Sequence, residues 1–139
     1  MKKKFMLCIA LGSFVLFFNQ SVIAACNLVG GTCRHAGFWN IFASFPGGDA
    51  WADDYVGNNP ATLTVSRQAE EVQRRLKNCL VDSTVANSSW VEGFRGNLVI
   101  VVSGPYPTSS AAAAELSASR RCGLSGYSKF GVMNEPGAE

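Results

Sequence analysis

Cysteine is the residue type with the clearest chemistry in this sequence. Five cysteines occur, and Cys8 falls inside an apolar leader, so the remaining chain carries four, namely Cys26, Cys33, Cys79 and Cys122. An even number of cysteines in an exported domain favours two disulfide bonds, for which three connectivities exist. Residues 23–26 also have the pattern of a degenerate lipobox, in which Cys26 would be acylated and Cys33 left unpaired.

Other residues that do chemistry in proteins are not arranged for catalysis here. His35 is the single histidine, and a lone histidine without a partner nucleophile or second ligand is typical of a surface loop. The acidic and amide side chains of residues 49–59 match no EF-hand register, which favours a solvated acidic loop. We therefore expect a protein that is not an enzyme and that binds no metal or cofactor.

The first 25 residues predict a secretory signal peptide. Three lysines at positions 2–4 precede an apolar run over 5–18, and residues 22–25 offer a small-residue cleavage site. The run is short for a membrane span of about 20 apolar residues. Cleavage removes three lysines from a chain of net charge +2, and the resulting near-neutral protein disfavours nucleic acid as a partner. We expect a periplasmic or secreted protein, or alternatively a lipoprotein anchored at Cys26.

The elements that would position any site are organised around residues 97–122. The unbroken aliphatic run 98–102 predicts a central strand covered on both faces, which ends at Gly104 and Pro105. Hydroxyl residues at 108–110 cap a helix over 111–121, and Gly123 stops it. Periodicity and turn residues predict the rest: a strand over 37–45, an insertion over 46–65 with one helical turn, a helix over 66–80, a strand within 81–89 and a last strand over 126–132.

Two motifs in these elements resemble the SPOR (sporulation-related repeat) domain. The second half of that domain matches at Val101, Val102, Ser103, Gly104, Pro105, Tyr106, Ser109, Glu115, Gly123 and Leu124. Its opening strand resembles the first strand here, which closes in Ala-Ser-Phe at residues 43–45. The chain departs from the family at Ile41, where the family usually has Gln or Asn, and at the insertion 46–65.

The order β, α, β, β, α, β predicts an α+β fold of the split βαβ, ferredoxin/RNP-like class. We expect a four-stranded antiparallel-type sheet with two helices on one face, in a SPOR-like domain over 37–133 between an N-terminal loop (26–36) and a flexible tail (134–139). The strands from Gly37 and Asn97 are expected to be central and parallel, so that both helices finish at the same end. Cys79 and Cys122, in the last helical turns, are then natural partners, and their bridge would contribute roughly 3 to 4 kcal/mol. A Cys26–Cys33 bridge would tie the N-terminal loop to itself.

The resemblance also implies a ligand and a binding surface. SPOR domains bind peptidoglycan glycan strands, particularly those stripped of stem peptides, on the sheet face that the helices leave open. Aromatic rings stack on sugar rings, whereas amides and cations bond hydroxyl and acetamido groups. The candidate ligand-binding residues on this face are Trp39, Asn40, Ile41, Arg95, Val102, Tyr127 and Lys129.

A second hypothesis keeps the fold and changes the ligand. Ile41 and Val102 make the predicted face apolar, and exposed apolar patches often mark protein partner sites. The chain would then be a periplasmic protein-interaction domain, an inhibitor or assembly factor, that uses the same face together with the insertion 46–65. A small hydrolase that depends on His35 or Asp53 is the least favoured hypothesis.

Overall fold

The computed structural model describes residues 25–27, 32–54 and 57–136, and it confirms the α+β class. Strands form one antiparallel sheet, with helices packed against it. The elements in chain order are β1 (Ala25–Asn27), β2 (Thr32–Pro46), α1 (Gly48–Asp53), α2 (Pro60–Asn78), β3 (Thr84–Asn87), a 3₁₀ turn (Ser88–Trp90), β4 (Val91–Glu92), β5 (Leu98–Tyr106), α3 (Ser109–Arg121) and β6 (Tyr127–Pro136).

The sheet has six strands, not the four expected, because β1 and β4 are added to it; the strand order is β3-β5-β2-β6-β4, with β1 paired to β2. The strands β2 and β5 are central and adjacent, as the sequence indicated, but they run antiparallel, so the expectation of a parallel pair was wrong. The reason is topological. A helical crossover brings β3 back parallel to β2, and the connection from β3 to its neighbour β5 reverses direction, so β5 opposes both.

Both predicted ends of the domain belong to the sheet. Residues 26–36 were expected to be a loop, but β1 forms a hairpin with β2, and β2 pairs with β6 from Thr32 opposite Pro136 to Ile41 opposite Tyr127. Residues 134–136 of the predicted tail are therefore the end of β6. These segments lack an alternating apolar pattern, and their conformation is set by the partner strand rather than by local preference.

The sheet is curled. Strands β3 and β4 lie at opposite ends of the strand order, yet only the three residues of the 3₁₀ turn connect them. The concave face therefore encloses a buried apolar cluster, here called the sheet interior, which consists of Trp39, Ile41, Ala86, Val91, Ile100, Val102 and Met133. Trp90, Phe94 and Leu98 pack against it. This is the face that was expected to be open, and the strand-to-strand crossing of residues 88–97 closes it.

The two longer helices pack on the opposite, convex face. Val99 and Val101 of β5 lie there in a second cluster with Ala69 and Leu76 of α2 and with Leu124. Helix α2 begins earlier than predicted. The side chain of Asn59 accepts a hydrogen bond from the Ala61 amide at 3.0 Å, with Pro60 as the first helical residue.

The predicted bridge between the two helix ends is confirmed. Cys79 and Cys122 are the C-cap residues of α2 and α3, and they form a disulfide with their Cα atoms 6.1 Å apart. The expected reason, a parallel central pair, does not hold, since the helix ends converge although β2 and β5 are antiparallel. Cys26 and Cys33 are Cα partners in the β1–β2 hairpin, and their side chains lie outside the described part of the chain. The predicted second bridge stays a prediction.

Candidate functional site

Three of the seven predicted ligand-binding residues lie in the sheet interior. Trp39, Ile41 and Val102 are 4%, 3% and 1% exposed. The indole Nε1 of Trp39 donates a hydrogen bond to the Gly131 carbonyl at 3.2 Å, so its polar atom is satisfied within the protein. The expectation that these side chains stand on an open face is corrected: they pack the concave side because the segment 88–97 covers it.

Asn40 lies on the convex face, where it holds helix α3 against the sheet. Its Nδ2 donates to the Ala112 carbonyl at 2.9 Å and to Glu115 Oε2 at 3.1 Å. The hydroxyl of Ser103 donates to the same carboxylate, and the Tyr106 hydroxyl donates to Ser103 Oγ at 3.2 Å. Burial and the neighbouring Glu115 raise the pKa of Tyr106. The Ser-Gly-Pro-Tyr motif is therefore part of a polar network that fixes α3 on β2 and β5.

The other three predicted residues come together around one cavity. Arg95, Tyr127 and Lys129 line a cavity of about 90 Å³ at one end of the sheet interior. The remaining lining residues are Ile41, Ser44, Ser88, Phe94, Leu98 and Ile100. Tyr127 is 59% exposed, and the Nζ of Lys129 lies 5.4 Å from the centre of the Phe94 ring, within cation–π distance. We call the group Phe94, Arg95, Tyr127 and Lys129 the cavity mouth.

Strand alternation and one tight turn position the cavity mouth. Tyr127 and Lys129 share a face of β6 with the buried Met133, which directs them to the concave side. The turn at 93–97 contains two positive φ angles, 91° at Gly93 and 58° at Asn97. It approaches β6 closely, because a Cβ on Gly131 would lie 2.8 Å from the Phe94 ring.

Sequence reasoning missed Phe94, Ser44 and Ser88. A register shift between Ile41 and Ala43 inserts a bulge into β2, which brings Ser44 to the same side as Ile41. A strict two-residue alternation places Ser44 on the other face, so the sequence pattern alone was misleading. Gly93 and Gly96, which flank residues 94 and 95, were the available sign of a turn that presents these side chains.

The insertion 46–65 packs at the end of the sheet and against α2. Trp51 of α1 donates from Nε1 to Ser66 Oγ at 3.0 Å and lies in the convex-side cluster. Asp49 accepts hydrogen bonds from Asn87 Nδ2 at 2.9 Å and from Ser89 Oγ at 2.7 Å, which lower the pKa of its carboxyl. Asp49 thus connects α1 to the end of β3 and to the 3₁₀ turn.

Asp54 organises the turn that leads into α2. Its carboxylate accepts from the Thr62 hydroxyl and from the amides of Asn58 and Asn59, the latter two at 3.1 and 3.0 Å. The Thr62 hydroxyl, with the backbone amides, lowers the pKa of Asp54. In the part of the chain that the structure describes, no group of three or more His, Cys, Asp or Glu side chains is placed to hold a metal ion.

Comparison with known proteins identifies no relative of this chain. No protein-family model, no curated protein and no solved structure matches this chain. Among the described residues, no helix has both the length and the apolar character that crossing a bilayer requires. The likeness to the SPOR domain rests on the motif residues named above.

Proposed function

We propose that this chain is an exported, non-catalytic module that binds peptidoglycan glycan strands at the cavity mouth. The observation that carries the proposal is the exposed Tyr127 ring, which lines the same small cavity as two cations, Arg95 and Lys129. The sheet face expected from the SPOR resemblance is packed, so the binding surface moves to the end of that face.

The chemistry of the cavity mouth suits a glycan. An exposed tyrosine ring stacks on the apolar face of a sugar ring, while the ammonium and guanidinium groups donate hydrogen bonds to hydroxyl and acetamido oxygens. Glycan strands without stem peptides carry free lactyl carboxylates, with which cations form the stronger, charge-assisted bonds. The Nζ of Lys129 lies over the Phe94 ring, so this cation and an aromatic surface are side by side at the cavity mouth.

Topology and chain features support the same proposal. The order β3-β5-β2-β6, with α2 and α3 on one face, resembles the predicted split βαβ arrangement, from which the sheet differs by the added strands β1 and β4. The predicted signal peptide and the Cys79–Cys122 disulfide are both typical of proteins of the bacterial cell envelope, such as the periplasm.

Co-sedimentation with purified cell-wall sacculi tests the proposal. We expect the oxidised protein in the pellet with amidase-treated sacculi, which present stripped strands, and less of it with intact sacculi. Tyr127→Ala and Lys129→Ala should each reduce the pelleted fraction. Phe130→Ala is the matched control, because Phe130 is also aromatic and 55% exposed but lies on the other face of β6.

Two results would contradict the proposal at different levels. Absence of the protein from both pellets would reject glycan binding altogether. Pelleting that falls equally in Tyr127→Ala and Phe130→Ala would keep glycan binding but reject the cavity mouth as its site.

A further inference from the structure

Strand β2 extends beyond the strand that covers its outer side. Its pairing with β6 ends at Ile41, opposite Tyr127, whereas its pairing with β5 continues to Pro46. Residues 42–46, which we call the β2 edge, therefore have β5 on one side and no strand of the described chain on the other. Such an edge presents backbone groups to which a further strand can add.

Backbone geometry identifies the outward-facing residue. The Gly47 amide donates to the Asn97 carbonyl at 3.1 Å, on the β5 side. In an antiparallel ladder, alternate residues direct both backbone groups to the same side, so Phe45 opposite Val99 also faces β5. Ser44 consequently directs its N–H and C=O away from β5. It is exposed to solvent.

A groove runs along this edge. Its volume is about 320 Å³, and its lining residues are Ile41, Phe42, Ala43, Ser44, Ser125, Gly126 and Tyr127. None of these side chains is charged. The bulge before Ala43 and the proline at position 46 limit the edge to a short segment centred on Ser44.

We propose that the β2 edge binds a short, extended and uncharged peptide segment of a partner protein by strand addition. An outward N–H and C=O on one residue are the pair that an added strand bonds, which specifies extended polypeptide as the occupant. The uncharged groove next to the exposed Tyr127 ring favours apolar or small side chains in that peptide. A second copy of this chain is disfavoured, because so short an edge buries far less than the roughly 800 Å² per partner of a stable dimer. The proposal does not depend on glycan binding.

A pair of substitutions at one position tests the inference. Ser44→Pro removes the outward N–H without removing a bond of the β2–β5 ladder, and proline is tolerated on such an edge. Ser44→Ala changes only the side chain and serves as the control. The probe is a phage-displayed library of random ten-residue peptides selected on the immobilised, oxidised protein, followed by affinity measurement of the selected peptides. We expect Ser44→Ala to bind them as the parent protein does and Ser44→Pro to bind roughly tenfold more weakly.

Hydrogen exchange gives a measurement that needs no variant. A selected peptide should slow exchange of the Ser44 amide and leave those of Ala43 and Phe45, which already face β5, unchanged. Failure to select any peptide, equal binding by Ser44→Pro and the parent, or an unchanged Ser44 amide would each overturn the inference. Self-association that Ser44→Pro abolishes would assign the edge to a second copy and would overturn it as well.

Discussion

Ile41 provides the sharpest test of the closed sheet interior. It is 3% exposed and packs in the cluster that contains Trp39, Ile100 and Val102. Replacing a buried isoleucine with alanine removes apolar contacts and leaves a cavity, which costs about 2 to 5 kcal/mol of unfolding free energy. Truncation of an isoleucine on an open sheet face would lower the unfolding free energy by only about 0.5 kcal/mol.

Urea unfolding of the oxidised protein measures this difference. We expect Ile41→Ala to lower the unfolding free energy by about 3 kcal/mol with an unchanged dependence on urea concentration. Leu63→Ala is the matched control, because Leu63 on α2 is 38% exposed and its truncation should cost under about 1 kcal/mol. Equal effects of the two substitutions would refute a closed interior and would restore an open sheet face as the binding surface.

Two further predictions concern the bridge and the turn before α2. Replacing both Cys79 and Cys122 with alanine opens a loop of 43 residues and should lower the unfolding free energy by about 4 kcal/mol, measured by urea unfolding; a loss under about 1 kcal/mol would contradict this. Asp54 has a folded-state pKa below its ordinary value of 3.8. The contribution of its carboxylate to the unfolding free energy is therefore fully present above about pH 5. It is lost as the pH falls through 3.8 toward the folded-state pKa. Asp54→Asn should therefore lower the unfolding free energy at neutral pH and flatten its decline as the pH falls below about 5. An unchanged acid profile would count against the Thr62 and amide contacts.

Local chemistry was sufficient to predict the elements with strong signals. The aliphatic run from Leu98, the hydroxyl of Thr108 as a helix cap, and cysteines near both helix ends led to β5, α3 and the Cys79–Cys122 bridge. The strand and the helix cap depend mainly on neighbouring residues, whereas the bridge joins residues 43 apart and was predicted from a parallel β2–β5 pair that the structure does not have. The identity of the two central strands also followed from the order of elements.

The features that could not be predicted from the sequence are those that depend on contacts between residues far apart in the chain. The two residues of β4 form a strand because Val91 lies opposite Met133, and nothing in a two-residue segment signals that pairing. Both faces of β5 are apolar, with Val99 and Val101 on one side and Ile100 on the other. This pattern predicts that both faces are buried, but it does not identify the segment that packs on each face. On the concave face, that segment is residues 88–97, between β3 and β5.

For the same reason, the sequence grouped only some of the residues that line the cavity. Tyr127 and Lys129 were expected on one sheet face, and both line the cavity together with Arg95. Asn40 was expected beside a ligand but bonds to α3, and the bulge after Ile41 moved Ser44 into the cavity. A one-residue shift of register exchanges the two faces of a strand, which a single sequence does not reveal.

The pairing of β2 with β6 has a consequence for biogenesis. These strands are the first long element and the last element of the chain, and their ladder covers ten consecutive residue pairs. Strand β2 therefore lacks its partner on one side until β6 has been synthesised, and contacts between residues so distant in the chain form slowly. We therefore expect the sheet to complete its folding only after β6 has been synthesised.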